Sequence, residues 1–550
     1  MTASSAQPQG MSSEHRRVIV ASSLGTIFEW YDFFIYGAMA VILSQHFFQG
    51  VNETTSFIFA LLGFAAGFAV RPLGALVFGR LGDIAGRKYT FLITILLMGG
   101  ATALLGMLPT YASVGVWAPI MLVTLRLLQG LALGGEYGGA ATYVAEHAPE
   151  GQRGYYTSWI QLSGSLGLVL ALGVVLGCRL ALGEEFDVWG WRLPFLLSLV
   201  LLGISVYIRV KLDESPVFLS MQSEGTISKQ PIGDAFGRWK NLKVVLLALF
   251  GLMAGQTVVA YVSMVYVMYF MMQSLQMDPT HANFLAVGAL AVTSPLYVVA
   301  GRLSDRIGRK PLFISGCFLA VLTMFPIFHG ITYFANPAIA AAQQSHPVVL
   351  VANPDECSFQ FDPLGKVHFT SSCDVAKTAL AHASISYTNK AAPAGSIAQL
   401  HIGENIVQSF DGSALSSDKF ERRAAEFRTG LETVLDASGY PREIDPAQAN
   451  YWAVFGLLCL LATYTVITYT PVAAWLVELF PPSIRYTSMS LPYHIGTGWF
   501  GGFLPPIAFA IVAYTGNIYS GLWYPVIVAS ISVVVGTLFL RETRGIAAED

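Results

Sequence analysis

Ionisable side chains inside long apolar runs are the first feature of this chain that could do chemistry. Five of them fall in the first 150 residues, whereas no Asp, Glu, Lys or Arg lies well inside an apolar run of the second half. A charged side chain inside a bilayer costs about 2.5–3.5 kcal/mol and normally faces a cavity or a partner. We therefore predict proton chemistry in the first half and more neutral solute contacts in the second. The five residues are Glu29, Asp32, Arg71, Arg126 and Glu136.

Helical geometry gives the depth of these charges. With a rise of about 1.5 Å per residue, Asp32 lies about 22 Å from Arg17 at one edge, and Arg126 lies about 15 Å from the opposite edge. In a hydrocarbon core about 30 Å thick the two depths can coincide. We predict two pairs, Asp32 with Arg126 and Arg71 with Glu136. Separating such a pair changes the proton affinity of its carboxylate, which could couple proton movement to a conformational change.

Each charged residue has two interpretations. Asp32 carries a proton or is a structural ion-pair partner, and Glu29 lies three residues earlier on nearly the same helix face. Arg126 tunes Asp32 or binds a carboxylate of the solute. Arg71 contacts an anion or holds Glu136, which is itself a coupling residue or a structural one.

The composition is that of a polytopic membrane protein. Of the 550 residues, 54% are hydrophobic and 12% are charged, against about 25% charge in a soluble domain. The net charge of −3 gives no signal for nucleic acid. Because the first 17 residues are polar and the first apolar run is long enough to span, we expect no cleaved signal peptide.

Twelve apolar runs have the length of a membrane-spanning helix. The loops at 80–88 and 302–310 and the connector after span 6 are rich in Lys and Arg, whereas the loops at 109–115 and 515–520 hold none. The positive-inside rule therefore places both termini in the cytoplasm. The spans lie near 18–46, 55–79, 89–108, 116–147, 154–182, 190–210, 242–272, 282–301, 311–334, 451–478, 487–514 and 521–540.

A ten-residue loop occurs twice, and its second copy begins 222 residues after the first. The chain is therefore two related six-helix halves, and such halves enclose a substrate site and alternate its access. The loop Asp can lie at a helix N-terminus and the Arg and Lys can bridge to span ends, so we predict a conformational gate. Its members are Gly79, Asp83, Gly86, Arg87 and Lys88, then Gly301, Asp305, Gly308, Arg309 and Lys310.

A second repeat locates an insertion. Residues 146–153 and 478–485 both read E-x-x-P-x-x-x-R, but the second copy lies 110 residues further from its loop than the first. The extra residues lie between spans 9 and 10, and the parity of the spans places them outside the cytoplasm. Cys357 and Cys373 fall within them, where an oxidising compartment favours a disulfide and two free thiols are the alternative.

The motifs together resemble the major facilitator superfamily, whose loop reads roughly G-x-x-x-D-x-x-G-R-[RK]. The runs 29–33 (EWYDF), 71–74 (RPLG) and 134–139 (GGEYGG) are similar to its metabolite:proton symporters, which carry proline and betaine, α-ketoglutarate, citrate or shikimate. The resemblance implies an all-α membrane protein of twelve helices in two bundles, with an extra-cytoplasmic insert between helices 9 and 10. In related sugar symporters the matching Asp and Arg form a pair, which implies the same for Asp32 and Arg126.

The predicted organisation follows from the spans, the repeats and the resemblance. We expect a monomer in the bacterial inner membrane, driven by a proton gradient and without a cofactor or metal. The segments are an N-terminal tail (1–17), a first bundle (18–211), a connector (212–241), the second bundle in two parts (242–335 and 451–541), the insert (336–450) and a C-terminal tail (542–550).

The sequence favours a proton-coupled importer of a small polar metabolite, and an organic acid first, because two intramembrane arginines suit an anion. A zwitterion such as proline or betaine is one alternative, and a non-transporting receptor with the insert as sensor is another. An ATP-driven pump needs a P-loop, which is missing, and no nucleophile–base cluster indicates an enzyme. Polar and aromatic residues are the predicted substrate contacts, with packing as the alternative: Arg71, Tyr31, Gln161, Gln256, Tyr261, Tyr464, Tyr493 and His494.

Overall fold

The computed structural model describes residues 13–48, 53–358, 369–383, 385–441, 445 and 447–545. The predicted tails 1–17 and 542–550 and the predicted insert 336–450 lie partly outside these described residues. Each of the twelve predicted spans is covered by helix. By length and composition, nine helices within the described ranges can cross a membrane, and one bent pair would be a tenth. The total of twelve crossings stays a prediction.

The first half is a bundle of long helices joined by short turns. Pro72 lies inside one of them without ending it, which spanning helices tolerate because neighbouring groups satisfy the freed backbone. A π-helical turn at Phe186–Gly190 precedes the last helix of this half. The helices are α1 (Ser13–Ala38), α2 (Ala40–Phe47), α3 (Glu53–Ala85), α4 (Arg87–Met107), α5 (Tyr111–Val114), α6 (Trp117–His147), α7 (Arg153–Leu182) and α8 (Arg192–Val210).

Short connector helices lead into the second half, where π-helical turns interrupt two of the spans. Three lie within the first span, at Leu249–Met253, Val262–Tyr266 and Phe270–Ser274, and one lies at Gly496–Gly501. Such turns often occur at functional sites because they redirect the side chains around them. The helices up to the insert are α9 (Pro216–Glu224), α10 (Pro231–Phe236), α11 (Trp239–Ala248), α12 (Ala254–Tyr261), α13 (Val267–Tyr269), α14 (Pro279–Thr293), α15 (Leu296–Ile307) and α16 (Arg309–Ala335).

The insert is an α/β unit, so the prediction of an all-α chain is wrong for this segment. Its four strands have the order β2-β1-β3-β4, with β1 and β2 parallel and the other pairs antiparallel. Alternating burial along β1 and β3 explains the strands, because one face of the sheet packs on the insert's own core. The elements are α17 (Pro337–Ser345), β1 (Val348–Ala352), a 3-10 turn (Pro354–Glu356), α18 (Ser372–His382), β2 (Tyr387–Ala391), β3 (Gln399–Ile402), β4 (Asn405–Gln408) and α19 (Ser417–Ala437).

The helices after the insert complete the second bundle, and hydrogen bonds attach the insert to one of them. Cys357 and Cys373 form a disulfide inside the insert. The Tyr387 N–H donates to Gly516 O at 2.8 Å, and Lys377 Nζ donates to Tyr514 O at 3.0 Å, so the insert binds the end of the penultimate helix. The remaining helices are α20 (Tyr451–Tyr469), α21 (Val472–Leu479), α22 (Arg485–Ile495), α23 (Leu504–Thr515), a 3-10 turn (Ser520–Leu522) and α24 (Trp523–Phe539).

Candidate functional site

The two copies of the repeated loop lie at the same end of the molecule, which we call the loop face (79–88 and 301–310), and each contacts a helix of the other half. The Asp83 carboxylate accepts hydrogen bonds from the N–H groups of Tyr486, at 3.2 Å, and Thr487, at 2.9 Å, at the start of α22. The Asp305 carboxylate accepts two at 2.8 Å from the N–H groups that begin α7. Each aspartate therefore caps a helix of the opposite half, where the helix dipole favours a negative charge.

The loop arginines join each aspartate to a glutamate in its own half. Arg87 lies 3.2 Å from the aspartate of its loop and 3.6 Å from Glu146 at the end of α6. Arg309 lies 2.7 Å from its aspartate and 3.0 Å from Glu478 at the end of α21. The glutamates of the repeated E-x-x-P-x-x-x-R motif therefore form ion pairs with the arginines of the repeated loop.

Direct contacts between the halves close the loop face. Arg485 lies 3.1 Å from Glu146, and Arg153 lies 3.6 Å from Glu478, so each pair joins the two bundles. Arg87 also donates to a backbone carbonyl of the other half, at Pro482, at 2.8 Å. These contacts must break before a pathway can open on this side.

Two glycines of the repeated loop, Gly79 and Gly301, lie where helices of the two halves approach each other closely. A Cβ at Gly79 would lie 2.9 Å from Thr487 Cα, and a Cβ at Gly301 would lie 2.7 Å from Gly154 O. Both glycines therefore let a helix of one half touch a helix of the other. The motif lysines, by contrast, stay in their own halves: Lys88 donates to Val210 O at 3.1 Å, and Lys310 donates to Leu540 O at 2.8 Å.

Sequence reasoning missed two glutamates that complete this network. The Glu214 carboxylate accepts from both N–H groups that begin α4, and the Glu542 carboxylate accepts from both that begin α16. Gly86 and Gly308 have φ of 114° and 107° at these junctions, and a Cβ on either would collide with the facing glutamate. The signal in the sequence is a repeated acid–hydroxyl pair, Glu-Ser at 214–215 and Glu-Thr at 542–543, just after the last helix of each half.

We expect the double variant Asp83→Asn, Asp305→Asn to open the loop face. Hydrogen bonds to a charged group contribute about 1.5–3 kcal/mol each, so their weakening is expected to raise the ratio of open to closed molecules about tenfold or more. The measurement is the distance distribution between spin labels at Tyr89 and Ile307, which are exposed residues of the two halves.

The matched control for this experiment is Asp234→Asn, which weakens an ion pair between the half-buried Asp234 and the exposed Arg238 inside the connector. It should leave the distance distribution unchanged. A distribution for the double variant equal to that of the unmodified chain would show that the two caps do not hold the loop face.

Asp32 lies in α1, is 5% exposed, and forms no ion pair with an arginine among the described residues. Its Oδ1 accepts a hydrogen bond at 2.6 Å from Ser198 Oγ of α8. The predicted ion pair of Asp32 with Arg126 is therefore wrong. Arg126 donates instead to Gln129 Oε1 at 2.7 Å, and the Gln129 amide donates to Thr102 Oγ1, which lies beside Asp32, at 2.6 Å. Two neutral side chains thus separate the aspartate from the arginine.

Glu136 is bound by an arginine that was not among the predicted site residues. Arg209, in the last turn of α8, lies 2.7 Å from the Glu136 carboxylate, which also accepts from Thr94 Oγ1 at 2.5 Å. The predicted pair of Arg71 with Glu136 is therefore wrong. Glu29 lies within electrostatic range of Glu136 and Arg209, and also of Arg71, so two acids and two bases are close together here.

Arg71 is left facing the boundary between the halves. Its guanidinium carbon lies 4.1 Å from the ring centroid of Phe68 and 4.6 Å from that of Phe33. Among the described residues its Nε and Nη2 find no hydrogen-bond partner, although the side chain is only 3% exposed. Tyr261 and Tyr493 of the other half lie within electrostatic range.

His494 lies across this boundary on α22. It is 1% exposed, and within the part of the chain that the structure describes its ring nitrogens find at most a weak hydrogen bond, with the backbone of Gly134. Arg71 is within electrostatic range of the ring, and the backbone of Gly134 in α6 is its neighbour. Two buried polar side chains from different halves are thus available for a common ligand.

An aromatic layer joins the halves between this region and the loop face. The Tyr137 ring stacks on Tyr493 with centroids 3.5 Å apart, and the hydroxyls of Tyr493 and Tyr469 are 2.7 Å apart. Gln161 Nε2 donates to the Tyr137 hydroxyl at 2.9 Å. Gln161 and Tyr493 were predicted contacts, whereas Tyr137 and Tyr469 were missed. Gly138 and Gly139, which follow Tyr137, were the available signal, because they leave room for the Tyr486 ring of the other half.

The other predicted contacts lie elsewhere. Tyr31 donates to Pro194 O at 2.6 Å and Tyr464 accepts from Thr323 Oγ1 at 3.0 Å, so both bind inside their own bundles. Gln256 in α12 is buried and accepts from the hydroxyl of its neighbour Thr257 at 3.1 Å. Within the described ranges, no group of three or more His, Cys, Asp or Glu residues could hold a metal ion.

Comparison with known proteins places the chain among transporters. Residues 18–232 match the Sugar (and other) transporter family. The Proline/betaine transporter of Salmonella typhimurium is 36% identical over 325 residues, which cover 57% of this chain and 64% of the relative, or somewhat less than two thirds. The Shikimate transporter of Escherichia coli is 36% identical over 327 residues, covering 58% of this chain and 72% of the relative.

The fold comparison agrees. A structure of the proton:xylose symporter XylE of the major facilitator superfamily, bound to 6-bromo-6-deoxy-D-glucose, aligns with a TM-score of 0.64 over 98% of both chains. At 15% identity this likeness shows the fold alone. The helices, the repeated loops and the relatives define a multi-pass membrane protein of two helical bundles. The chain belongs to the major facilitator superfamily, among its metabolite transporters.

Proposed function

We propose that the protein is a proton-coupled symporter that takes up a small polar metabolite, an organic acid first, by alternating access. The substrate class is inferred from Arg71, a buried guanidinium whose Nε and Nη2 find no hydrogen-bond partner among the described residues. Buried donors without an acceptor are costly even though the Glu29 carboxylate lies within electrostatic range, and a carboxylate of the ligand matches the two-pronged donor geometry of a guanidinium. Arg71 therefore supports an anionic or zwitterionic substrate rather than a neutral one.

His494 supports a site that both halves share. With Arg71 on α3 and His494 on α22, one ligand that binds both side chains would join the bundles at their boundary. The aromatic layer of Tyr137 and Tyr493 lies between this site and the loop face and would form its floor while that face is closed. Release of the ligand toward the loop face then requires both the layer and the gate to open.

Asp32 is the proposed proton carrier. It is a buried acid with two neutral hydrogen-bond donors, Ser198 and Thr102, and it has no ion-pair partner in the described residues. Rocking of α1 against α8 would change its access to water and hence its proton affinity. The chain through Thr102 and Gln129 connects it to Arg126, which can respond to its charge without pairing with it.

We place the protein in the bacterial inner membrane, with both termini and the loop face on the cytoplasmic side. The energy source is the proton gradient, the working unit is a monomer, and no cofactor takes part. Two relatives of the chain are a proline/betaine transporter and a shikimate transporter. All three solutes bear a carboxylate. A zwitterionic substrate is therefore the second candidate, whereas relatives named as transporters do not favour a receptor.

Uptake into vesicles with an imposed pH gradient tests the proposal. Radiolabelled dicarboxylates, citrate, shikimate, proline and betaine are offered to vesicles that contain the full chain and to empty vesicles. We expect one carboxylate-bearing solute to accumulate, protons to enter with it, and a protonophore to abolish the accumulation. If acidifying the outside neither speeds entry of any solute nor moves protons with it, proton coupling is excluded.

A further inference from the structure

A groove on the outside of the second bundle runs between α11, with the π-helical turn that follows it, and α24. It encloses about 300 Å³. One wall is made by Lys243, Leu246 and Phe250, which recur every three or four residues and therefore share one helix face. The opposite wall is made by residues 531, 535 and 539, at a spacing of four on α24. The groove therefore runs along both helices.

The walls of this groove are apolar and open to the outside of the bundle. Ile531 and Phe539 are 46% and 61% exposed, and Phe250 is 41% exposed. Because both helices belong to predicted spans, these side chains face lipid rather than water. A lipid chain is the occupant that such walls can accept at this position.

One end of the groove is basic. Lys243 is exposed, and among the described residues its ammonium takes part in no hydrogen bond or ion pair. Trp239 lines the same end and is 68% exposed, and Arg238 and Lys240 lie beside it. Tryptophan and lysine at the end of a span are typical of the head-group level of a bilayer, and a basic side chain there attracts anionic head groups.

We propose that this groove binds an anionic phospholipid, with one acyl chain along the two helix faces and the phosphate at Lys243. The groove and the lipid are complementary at both ends: hydrocarbon lies against hydrocarbon, and an unpaired ammonium faces a phosphodiester. The inference is independent of the proposed substrate and of proton coupling, because it needs only that α11 and α24 lie in a bilayer.

Tryptophan fluorescence in vesicles tests the lipid site. The full chain is reconstituted in phosphatidylcholine with increasing amounts of brominated phosphatidylglycerol or brominated phosphatidylcholine, which quench tryptophan on contact. Subtracting the signal of Trp239→Phe isolates quenching at the groove. We expect half-maximal quenching of Trp239 at an approximately fivefold lower mole fraction of the anionic lipid, and Lys243→Gln should remove this preference.

The matched control is Lys240→Gln, which removes an exposed positive charge near Trp239 but outside the groove. It should keep most of the preference for the anionic lipid. Equal quenching of the unmodified chain by the two brominated lipids would overturn the proposal, as would an unchanged preference in Lys243→Gln. Trp239 that neither lipid quenches would mean that protein, such as a second copy of the chain, covers the groove, and would also overturn it.

Discussion

Asp32→Asn is expected to abolish proton-driven accumulation while substrate exchange continues. Asparagine keeps the size of the side chain and can still accept the hydrogen bond from Ser198, but it cannot gain or lose a proton. A pH difference of one unit is worth about 1.4 kcal/mol per proton, which sustains about a tenfold accumulation when one proton enters with each substrate. In the variant, the inside concentration should rise only to the outside concentration.

Two measurements separate coupling from loss of folding. Accumulation under a pH gradient should disappear, whereas counterflow, in which unlabelled solute inside exchanges for labelled solute outside, should persist. Asp187→Asn is the matched control, because Asp187 forms an exposed ion pair with Arg179, and it should accumulate substrate normally. Full accumulation by Asp32→Asn would remove Asp32 from the mechanism and direct attention to Glu29, one turn earlier on the same helix.

Arg71→Gln is expected to cause the largest loss of substrate affinity. Removing one partner of a buried charge pair typically costs about 2 kcal/mol or more, which corresponds to about a thirtyfold or greater rise in the concentration for half-maximal exchange. Arg71→Lys should recover only part of this loss, since a lysine keeps the charge but not the planar two-donor geometry. Counterflow at neutral pH measures both variants without a proton gradient.

The control for Arg71 must distinguish a binding defect from a packing defect, because the guanidinium also packs against the rings of Phe33 and Phe68. Thermal unfolding in detergent reports the packing, and excess substrate should raise the unfolding temperature of the unmodified chain but not that of Arg71→Gln. Arg179→Gln, at an exposed site of the same half, should behave as the unmodified chain. An unchanged affinity in Arg71→Gln would place the carboxylate of the substrate elsewhere.

The two wrong ion pairs show that the spacing of charged residues along helices does not predict which side chains pair. Helical rise gave the depths of Asp32 and Arg126, but depth says nothing about the direction in which a side chain points around its helix or about what lies between. Thr102 of α4 and Gln129, one turn after Arg126, occupy that space. The two ends are joined by hydrogen bonds rather than by an ion pair.

Arg209 shows that the position of an arginine in a span does not reveal the direction of its side chain. Its position at the end of a span suggested a loop residue at the membrane surface, because arginine there usually reaches toward water. In the fold it turns inward to Glu136 and packs on Phe91, with its guanidinium carbon 3.4 Å from the ring centroid. Only the positions of α4, α6 and α8 around it decide which way the side chain turns.

The sequence by itself determined the helical spans, the two related halves, the paired gate loops and the position of the insert, because apolar length and repetition are properties of consecutive residues. Tertiary structure alone decided which acid meets which base, that Glu214 and Glu542 cap the helices after each loop, and that the insert folds around a sheet. Those outcomes depend on distances between helices far apart in the chain. A buried charge takes the partner that packing brings within reach, and its position along the sequence does not reveal that partner.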